Sequence, residues 1–215
     1  MNDFRIKTSV LGPVSTNCYT VYDCATGDGV IVDPGDHAEE IEKQCRQMGI
    51  APKAILLTHG HFDHMLAADD VRKAFGIPIY VSEQDDVMLG EVSLNLSGSC
   101  GTKQTRLHGD RIVRDGEELN FLGRSWKVIA TPGHTAGSVC YYIPSEEVLF
   151  AGDTLFADSY GRTDLPTGSM RDIAVSIRQK LFVLPEDTIV YPGHGNATTI
   201  GHEKQYNPLS MGEML

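Results

Sequence analysis

Apolar residues recur along the chain in two patterns, one typical of strands and one typical of helices. Short apolar or alternating runs bounded by Gly, Pro or Asp predict strands. These runs lie near residues 4–11, 18–23, 29–33, 53–58, 77–81, 125–131, 138–143, 148–151 and 188–191. Hairpin-rich segments alternate with segments of strand and helix, which favours mixed sheets over a uniform parallel sheet. We therefore expect an α/β fold with two β-sheets face to face and helices outside.

Apolar positions at helical spacing predict three helices. They lie at Ile41, Cys45 and Met48, across residues 65–75, and at Ile173, Ile177 and Leu181. The segments 36–39 and 169–172 look like capping boxes that begin the first and third helices. The long irregular segment 90–110, rich in Ser, Gly and Thr, is a candidate lid over a site.

Length and composition predict one domain covering residues 1–215. The chain has 215 residues, of which 41% are hydrophobic and 22% charged, with 10 prolines spread along it. A chain of this size can bury roughly 70% of the surface that its unfolded form exposes. Such usage is typical of globular proteins and not of disordered or fibrous ones.

The net charge argues against nucleic acid as a partner. The formal charge is -11, and Lys and Arg form no cluster that would offset it locally. Two divalent ions would reduce this negative charge and could make the site itself locally positive. A small anionic substrate is therefore compatible with an acidic protein.

Cysteine usage and hydropathy predict a cytoplasmic protein. The five cysteines form no C-x-x-C pair, and an odd number argues against a disulfide framework. The first ten residues alternate between polar and apolar, unlike a secretory signal. No apolar run approaches the roughly 18 to 20 residues of a membrane span, so we expect no membrane partner. The oligomeric state is not predicted.

The densest group of candidate metal ligands follows the apolar run at residues 54–57. Four ligand-type residues lie within six positions, namely His59, His61, Asp63 and His64. Imidazole and carboxylate groups suit borderline divalent metals such as zinc. His59 and His61, two apart on an extended turn, can converge on one ion, whereas Asp63 and His64 would face another. A single histidine is more often structural than a ligand, but this density predicts metal binding.

Three further candidate ligands occupy similar places. His134 and His194 each stand in a Pro-Gly-His segment, and Asp153 follows the apolar run at residues 148–151. A buried carboxylate at a strand end is costly unless it is paired or binds a metal, although it could instead cap a turn. The other histidines lack such contexts, and we interpret them as surface or local structural residues: His37, His108 and His202.

The order of these motifs resembles the metallo-β-lactamase fold superfamily, in particular its short glyoxalase II-like hydrolases, which are similar to hydroxyacylglutathione hydrolases. The matching segments are 59–64 (HxHxDH), 133–135 (GHT), 152–154 (GDT), 161–168 (GRTDLPTG), 192–195 (PGHG) and 201–208. The resemblance covers nearly the whole chain. It implies a four-layer αββα sandwich of two mixed β-sheets flanked by helices, with a metal site at one edge between the sheets.

The resemblance also implies two divalent metal ions, with zinc expected and iron or manganese as alternatives. It assigns His59, His61 and His134 to one metal, Asp63, His64 and His194 to the second, and Asp153 to both. Asp33 matches a position that supports the metal loop without binding metal. A turn-forming Asp before Pro explains Asp33 equally well on sequence alone.

The activity implied by the resemblance is metal-dependent hydrolysis by a metal-bridged hydroxide, with a thioester such as an S-acyl-glutathione as the substrate. Asp63 would act in catalysis by orienting the attacking water. Arg162, in a Gly-flanked loop, is a candidate for binding a substrate carboxylate. Tyr160 is a candidate for a hydrogen bond or stacking contact. A salt bridge that anchors the loop is the alternative for both residues.

Departures from the family patterns leave alternatives open. The best-known zinc β-lactamases have a cysteine in place of Asp153, which disfavours antibiotic hydrolysis as the main activity. Long glyoxalase II enzymes carry a basic C-terminal extension that grips glutathione; this sequence stops soon after His194, so we expect the short form. The main alternative is a mononuclear iron persulfide dioxygenase acting on glutathione persulfide, with iron at the positions of His59, His134 and Asp153. A non-catalytic metal module is disfavoured because structural zinc sites are usually rich in cysteine.

Overall fold

Two six-stranded β-sheets lie face to face in the computed structural model, which describes residues 3–99 and 102–210. The first sheet follows chain order: β1 (Phe4–Leu11), β2 (Thr16–Asp23), β3 (Asp28–Val32), β4 (Ala51–Leu56), β5 (Ile79–Ser82) and β6 (Arg111–Val113). The strands β1 to β3 form an antiparallel meander, with Phe4 opposite Asp23 at one end. From β3 to β6 the neighbours are parallel, so the sheet is mixed.

The strands of the second sheet are β7 (Glu118–Phe121), β8 (Arg124–Ala130), β9 (Val139–Ile143), β10 (Val148–Gly152), β13 (Ile189–Pro192) and β14 (Thr198–Thr199). Their spatial order is β14-β13-β10-β9-β8-β7. Only the β10–β13 pair is parallel among these described neighbours. A separate hairpin joins β11 (Leu155–Phe156) to β12 (Ser159–Tyr160).

Helices cover the outer faces of both sheets. They are α1 (Ala38–Met48), α2 (Phe62–Met65), α3 (Ala68–Phe75), α4 (Glu83–Gly90), α5 (Val92–Asn95), α6 (Met170–Val175) and α7 (Ile200–Tyr206). A 3-10 turn spans Pro144–Glu146, and α6 continues as a π-helical segment over Ser176–Leu181. None of the helices in the described ranges has both the length and the apolar character that a bilayer-crossing helix requires.

Alternation along the buried strands divides the core into layers. In β3, Val30 and Val32 pack between the sheets, whereas Ile31 packs beneath α1 and α3. In β10, Phe150 faces the inter-sheet core and Leu149 packs with α6 and α7. Successive strand residues point to opposite faces, so the central strands of each sheet are buried on both faces. This arrangement confirms the predicted αββα sandwich.

The helix starts agree with the sequence predictions only in part. Ser169 caps α6 as predicted, since its side chain accepts a hydrogen bond from the Asp172 amide. The capping box predicted at residues 36–39 is wrong, because the residue before α1 is His37, whose side chain makes no capping bond. His37 instead adopts a left-handed backbone with φ 53°, and its amide donates to Asp36 Oδ1.

The helix predicted across residues 65–75 begins earlier and is broken. The Ala67 amide donates to the Pro34 carbonyl at 3.0 Å instead of continuing the helical ladder. Consequently α2 ends at Met65, and α3 begins at Ala68. The break lets the loop after β3 pack against the segment that carries Asp63.

Two sequence predictions extend beyond the described residues. Four cysteines are free thiols, at Cys18, Cys24, Cys45 and Cys140, whereas Cys100 lies outside the described part. The candidate lid at 90–110 includes positions 100 and 101, which also lie outside it. The described part of this segment carries α5, and its Leu96 and Ser99 line a cavity.

Candidate metal centre

The predicted metal ligands converge at one edge of the sandwich, where β4, β10 and β13 end and β9 begins. The structure brings all of them together: His59, His61, Asp63, His64, His134, Asp153 and His194. They form overlapping groups whose ligand atoms lie within 4.8 Å of one another. The parallel pairing of β10 with β13 places Asp153 beside the His194 loop.

Three histidines form the first half of this cluster. His61 Nδ1 and His134 Nε2 are 2.9 Å apart. The ring of His59 lies 4.9 Å from that of His61 and 4.8 Å from that of His134, measured between centroids. His134 Nδ1 donates to the Arg162 carbonyl at 2.8 Å, which leaves His134 Nε2 free to face the cluster. All three imidazoles are buried.

Two histidines and two carboxylates form the second half. His64 Nε2 lies 3.4 Å from Asp63 Oδ2 and 3.3 Å from Asp153 Oδ1. His194 Nε2 lies 3.2 Å from Asp63 Oδ2. Ligand atoms held about 2.1 Å from a tetrahedral ion stand about 3.4 Å apart, so these separations match a shared ion. Asp153 Oδ2 also lies 3.5 Å from His134 Nε2, and thus the carboxylate faces both halves.

Buried polar atoms without a hydrogen-bond partner concentrate in this cluster. Among the described residues they include His59 Nε2, His61 Nε2, His64 Nε2 and Asp153 Oδ1. Leaving a buried polar atom unpaired costs about 1–3 kcal/mol, so several at one place indicate a missing ligand. A borderline divalent metal suits this imidazole and carboxylate donor set. The residues therefore fit a divalent metal site.

The electrostatic environment differs between the two halves. Burial, reinforced by neighbouring imidazoles, lowers the pKa of His59 well below its usual range and that of His61 to about 3. Both are therefore neutral at physiological pH, as metal-binding imidazoles must be. Burial also opposes charge on His64, but three adjacent carboxylates outweigh it and raise the pKa of His64. The second half thus attracts positive charge, whether from a proton or from a metal.

Two glycines allow the ligand segments to approach closely. A Cβ on Gly193 would lie 2.0 Å from Asp153 Oδ1, so a side chain there would push the His194 loop away. Gly152, immediately before Asp153, has φ 48°, and a Cβ there would lie 2.3 Å from Thr58 Oγ1. Only glycine combines this left-handed conformation with so close a contact at low cost.

Asp33 holds His64 in place from behind the cluster. Its Oδ2 accepts from His64 Nδ1 at 2.9 Å and from Thr58 Oγ1 at 2.7 Å, and its Oδ1 accepts from the Thr58 amide at 2.8 Å. A proton on Nδ1 leaves the Nε2 lone pair of His64 directed at the cluster. This geometry is the one expected of a residue that supports the metal loop.

Asp85 is a positioning residue that sequence analysis missed. This buried carboxylate accepts from the Gly60 amide and Thr135 Oγ1, both at 2.8 Å, and from the Gly137 amide at 3.0 Å. It thereby ties the loop of His59 and His61 to the loop of His134. The sequence signal was poor, because acidic residues at a helix start are normally solvated caps.

The start of β2 holds the opposite side of the cluster and was also missed. Thr16 Oγ1 donates to Asp63 Oδ2 at 2.8 Å. Asn17 Nδ2 donates to the carbonyls of Pro192 and Gly195 at 3.0 and 2.9 Å. Thr16 also pairs with His194 as an isolated β-bridge. Two polar residues opening an otherwise buried strand were the available signal.

The two predicted substrate-binding residues occupy different surroundings. Arg162 lines the cavity beside the ligand cluster, but its guanidinium pairs with Asp164 through bonds of 2.7 and 2.8 Å. Both members of this pair are largely exposed. Tyr160 lies in β12 and packs against the apolar layer that contains Leu155. Its predicted contact with substrate stays a prediction.

A second group of ligand-type residues is explained by hydrogen bonding. Asp158, His202 and Glu203 come together beside α7. The buried Glu203 carboxylate accepts from the Asp158 amide, from Thr198 Oγ1 and from Asn207 Nδ2. Because these bonds already satisfy Glu203, the group stabilises the end of the fold.

The family of the chain follows from its match to known proteins. Residues 11–194 match the family model of the metallo-beta-lactamase superfamily. The chain belongs to this superfamily. The metallo-β-lactamase fold accounts for the two sheets and for the position of the cluster at their edge, and the family predicted from the motifs is confirmed.

Some of the curated relatives of this chain are described as hydrolases. The probable metallo-hydrolase YqgX of Bacillus subtilis is 37% identical over 206 residues, which cover 95% of this chain and 97% of the relative. Hydroxyacylglutathione hydrolase GloC of Haemophilus influenzae is 36% identical over 195 residues, covering 90% and 92%. This chain is accordingly a metallo-hydrolase of the metallo-β-lactamase superfamily.

Solved metallo-β-lactamase-fold structures superpose closely on the chain. BLEG-1, described as a B3 metallo-beta-lactamase, has a TM-score of 0.92 at 40% identity, covering 97% of this chain and 100% of BLEG-1. TTHA1623 in a di-iron-bound form has a TM-score of 0.84 at 33% identity, covering 94% and 98%. ETHE1 from Myxococcus xanthus has a TM-score of 0.78 at 28% identity, covering 96% and 84%.

Proposed function

We propose that this protein hydrolyses a thioester of the S-acyl-glutathione type with the help of two divalent metal ions. The observation that carries the proposal is the position of Asp153, whose Oδ1 faces His64 at 3.3 Å and whose Oδ2 faces His134 at 3.5 Å. One carboxylate directed at two groups of histidines is the arrangement expected of a residue that joins two ions.

The seven ligand-type residues divide into two sets around Asp153. One ion would be held by His59, His61 and His134, and the other by Asp63, His64 and His194. Zinc suits these donors, and iron or manganese are alternatives. The similarity to TTHA1623, whose structure contains two irons, supports a pair of ions without fixing their identity.

The chemistry assigns distinct roles to the ions and to the side chains. When bound, two such ions lower the pKa of water towards about 7 and polarise a carbonyl group. The Thr16 hydroxyl donates to Asp63 and orients its carboxylate. Asp63 would then direct the attacking water towards the substrate carbonyl. Asp33 and Asp85 hold the ligand loops in position, so the reacting groups are already arranged when substrate binds.

One relative supports this substrate class, and two other activities are alternatives to it. GloC is a hydroxyacylglutathione hydrolase, which favours an acyl-glutathione. The persulfide dioxygenase that the motifs left open is one alternative, and the similarity to BLEG-1, described as a B3 metallo-beta-lactamase, introduces β-lactam hydrolysis as another. The presence of both ligand sets favours the two-ion hydrolase over a single iron.

Parallel assays of the purified protein distinguish these activities. We expect cleavage of a hydroxyacyl-glutathione thioester, with activity lost on chelation by at least about 1,000-fold and restored by a divalent ion, because Lewis-acid catalysis contributes several kcal/mol. The proposal would be contradicted if the protein did not cleave the thioester and instead consumed oxygen with glutathione persulfide or hydrolysed a cephalosporin.

Arg162 is proposed to bind an anionic group of the substrate at the cavity rim. We expect Arg162→Ala to raise KM about 5- to 10-fold with little change in kcat, because an exposed guanidinium contributes mainly to binding. Steady-state kinetics with the acyl-glutathione measure both constants. Asp164→Ala, which frees the guanidinium, is the matched control and should not raise KM. An unchanged KM in Arg162→Ala would remove this role.

A further inference from the structure

Apolar side chains and ligand residues line the same cavity of about 290 Å³. The ligand residues in its lining are His61, Asp63, His134, Asp153 and His194. The other lining residues are Val14, Phe62, Leu96, Leu165, Ser99 and Arg162. We call the first four of these the apolar wall. Because the wall offers few hydrogen-bonding groups, it suits an apolar part of a substrate.

Leu96 lines this cavity and has an unfavourable backbone conformation. It follows α5 in the left-handed conformation, with φ 63° and ψ 14°. This conformation costs a residue with a Cβ roughly 1–2 kcal/mol. The neighbouring Asn95 is fully buried, and its amide donates to the carbonyls of Leu89 and Thr105, both at 3.0 Å, while Oδ1 accepts from the Ser97 amide at 2.8 Å. These three hydrogen bonds of Asn95 fix the backbone beside Leu96.

We propose that the apolar wall, with Leu96 as its selective element, binds the acyl group of the thioester and restricts it to short apolar chains. This inference rests on the proposed thioester hydrolysis. The reacting carbonyl must lie against the ligand cluster, so one of the two groups attached to its carbon, the acyl chain or the thiol, lies in the cavity.

The leaving thiol is directed away from the apolar wall. A thiol such as glutathione carries amides and charges, whose burial against an apolar wall without partners would cost several kcal/mol. Arg162, which is exposed, provides a cation at the rim and not within the wall. The cavity volume of about 290 Å³ lies near the lower end of the roughly 300–1,000 Å³ range of ligand pockets, so it suits an acyl group better than a whole acyl-glutathione.

A series of S-acyl-glutathiones with acetyl, butyryl, hexanoyl and octanoyl groups tests this selectivity. For the wild-type protein we expect kcat/KM to fall from butyryl to octanoyl. Leu96→Ala should raise the hexanoyl-to-acetyl ratio of kcat/KM about 10-fold, because steric discrimination of this size is typical of hydrophobic pockets. Leu94→Ala removes the same group from α5 outside the cavity and should leave the ratio unchanged.

A second variant controls for a loss of folding in Leu96→Ala. Leu96→Gly opens the cavity further and also suits the left-handed backbone, so it should fold and show the same shift towards longer chains. The ratio is independent of the fraction of active enzyme, because both substrates meet the same preparation. An unchanged ratio in both Leu96 variants, with thioesters still cleaved, would overturn the acyl site alone. Failure of the wild-type protein to cleave any member would overturn the proposed function and this inference together.

Discussion

Replacing Asp153 with alanine is expected to abolish both metal binding and hydrolysis. Its two carboxylate oxygens face His64 and His134, so the substitution removes a ligand from both halves of the centre. Losing a residue that merely hydrogen-bonds a ligand costs about 10–100-fold in metal affinity, so losing a shared ligand should cost more than about 100-fold. Activity should fall by at least about 1,000-fold.

Metal analysis after dialysis and thioester assays measure the two effects in the same preparation. Asp158→Ala is the matched control, because it removes an exposed carboxylate of another ligand-type cluster and should preserve metal and activity. If Asp153→Ala retained metal and activity at wild-type levels, Asp153 would not be a shared ligand.

Asp33→Ala is expected to weaken both the fold and the second half of the metal centre. The substitution leaves the His64 Nδ1 proton, the Thr58 amide and the Thr58 hydroxyl without their buried acceptor. Removing one partner of a buried pair costs about 3–5 kcal/mol, so the free energy of unfolding of the metal-free protein should fall by that amount. Metal affinity should fall about 10–100-fold.

Denaturant unfolding of the metal-free protein and metal titration separate these two effects. Asp36→Ala on the same loop is the control, since Asp36 is partly exposed and contacts none of the ligands. Asp33→Asn keeps the size of the side chain but removes its charge. It should recover part of the free energy of unfolding that Asp33→Ala loses. Wild-type stability and metal affinity in Asp33→Ala would show that His64 does not need this support.

Local patterns predicted the fold because burial on both faces of each sheet leaves a strong signal in the chain. The apolar runs of β3, β9 and β10 are near-continuous, as expected for strands covered on both sides. The strands β6 and β7 were missed because they have only 3 and 4 residues and charged first positions. A run that short carries little periodicity.

The candidate ligands could be proposed from the sequence, whereas the residues that position them could not. Each candidate ligand stands in a local motif near the end of a strand, and the order of these motifs identifies the set; its binding of metal stays a prediction. The bond from Thr135 to Asp85 spans 50 positions, and that from Thr16 to Asp63 spans 47. Such pairs have no local signature, because only the folded chain brings them together.

Sequence also left the role of Arg162 open, and its surroundings explain why. A guanidinium in a loop pairs with whichever anion lies nearest, and here that anion is Asp164, two residues away. Substrate binding would have to compete with this exposed pair, which is weak in water. Kinetic measurements on variants are therefore needed to assign the residue.

The number of metal ions per chain distinguishes a two-ion hydrolase from its alternatives. Elemental analysis of the purified wild-type protein, combined with thioester activity on the same sample, should give close to two equivalents of divalent metal, with activity rising as the second ion is restored after chelation. One tightly bound iron per chain, with oxygen uptake on glutathione persulfide and no thioester cleavage, would contradict the two-ion thioester hydrolase.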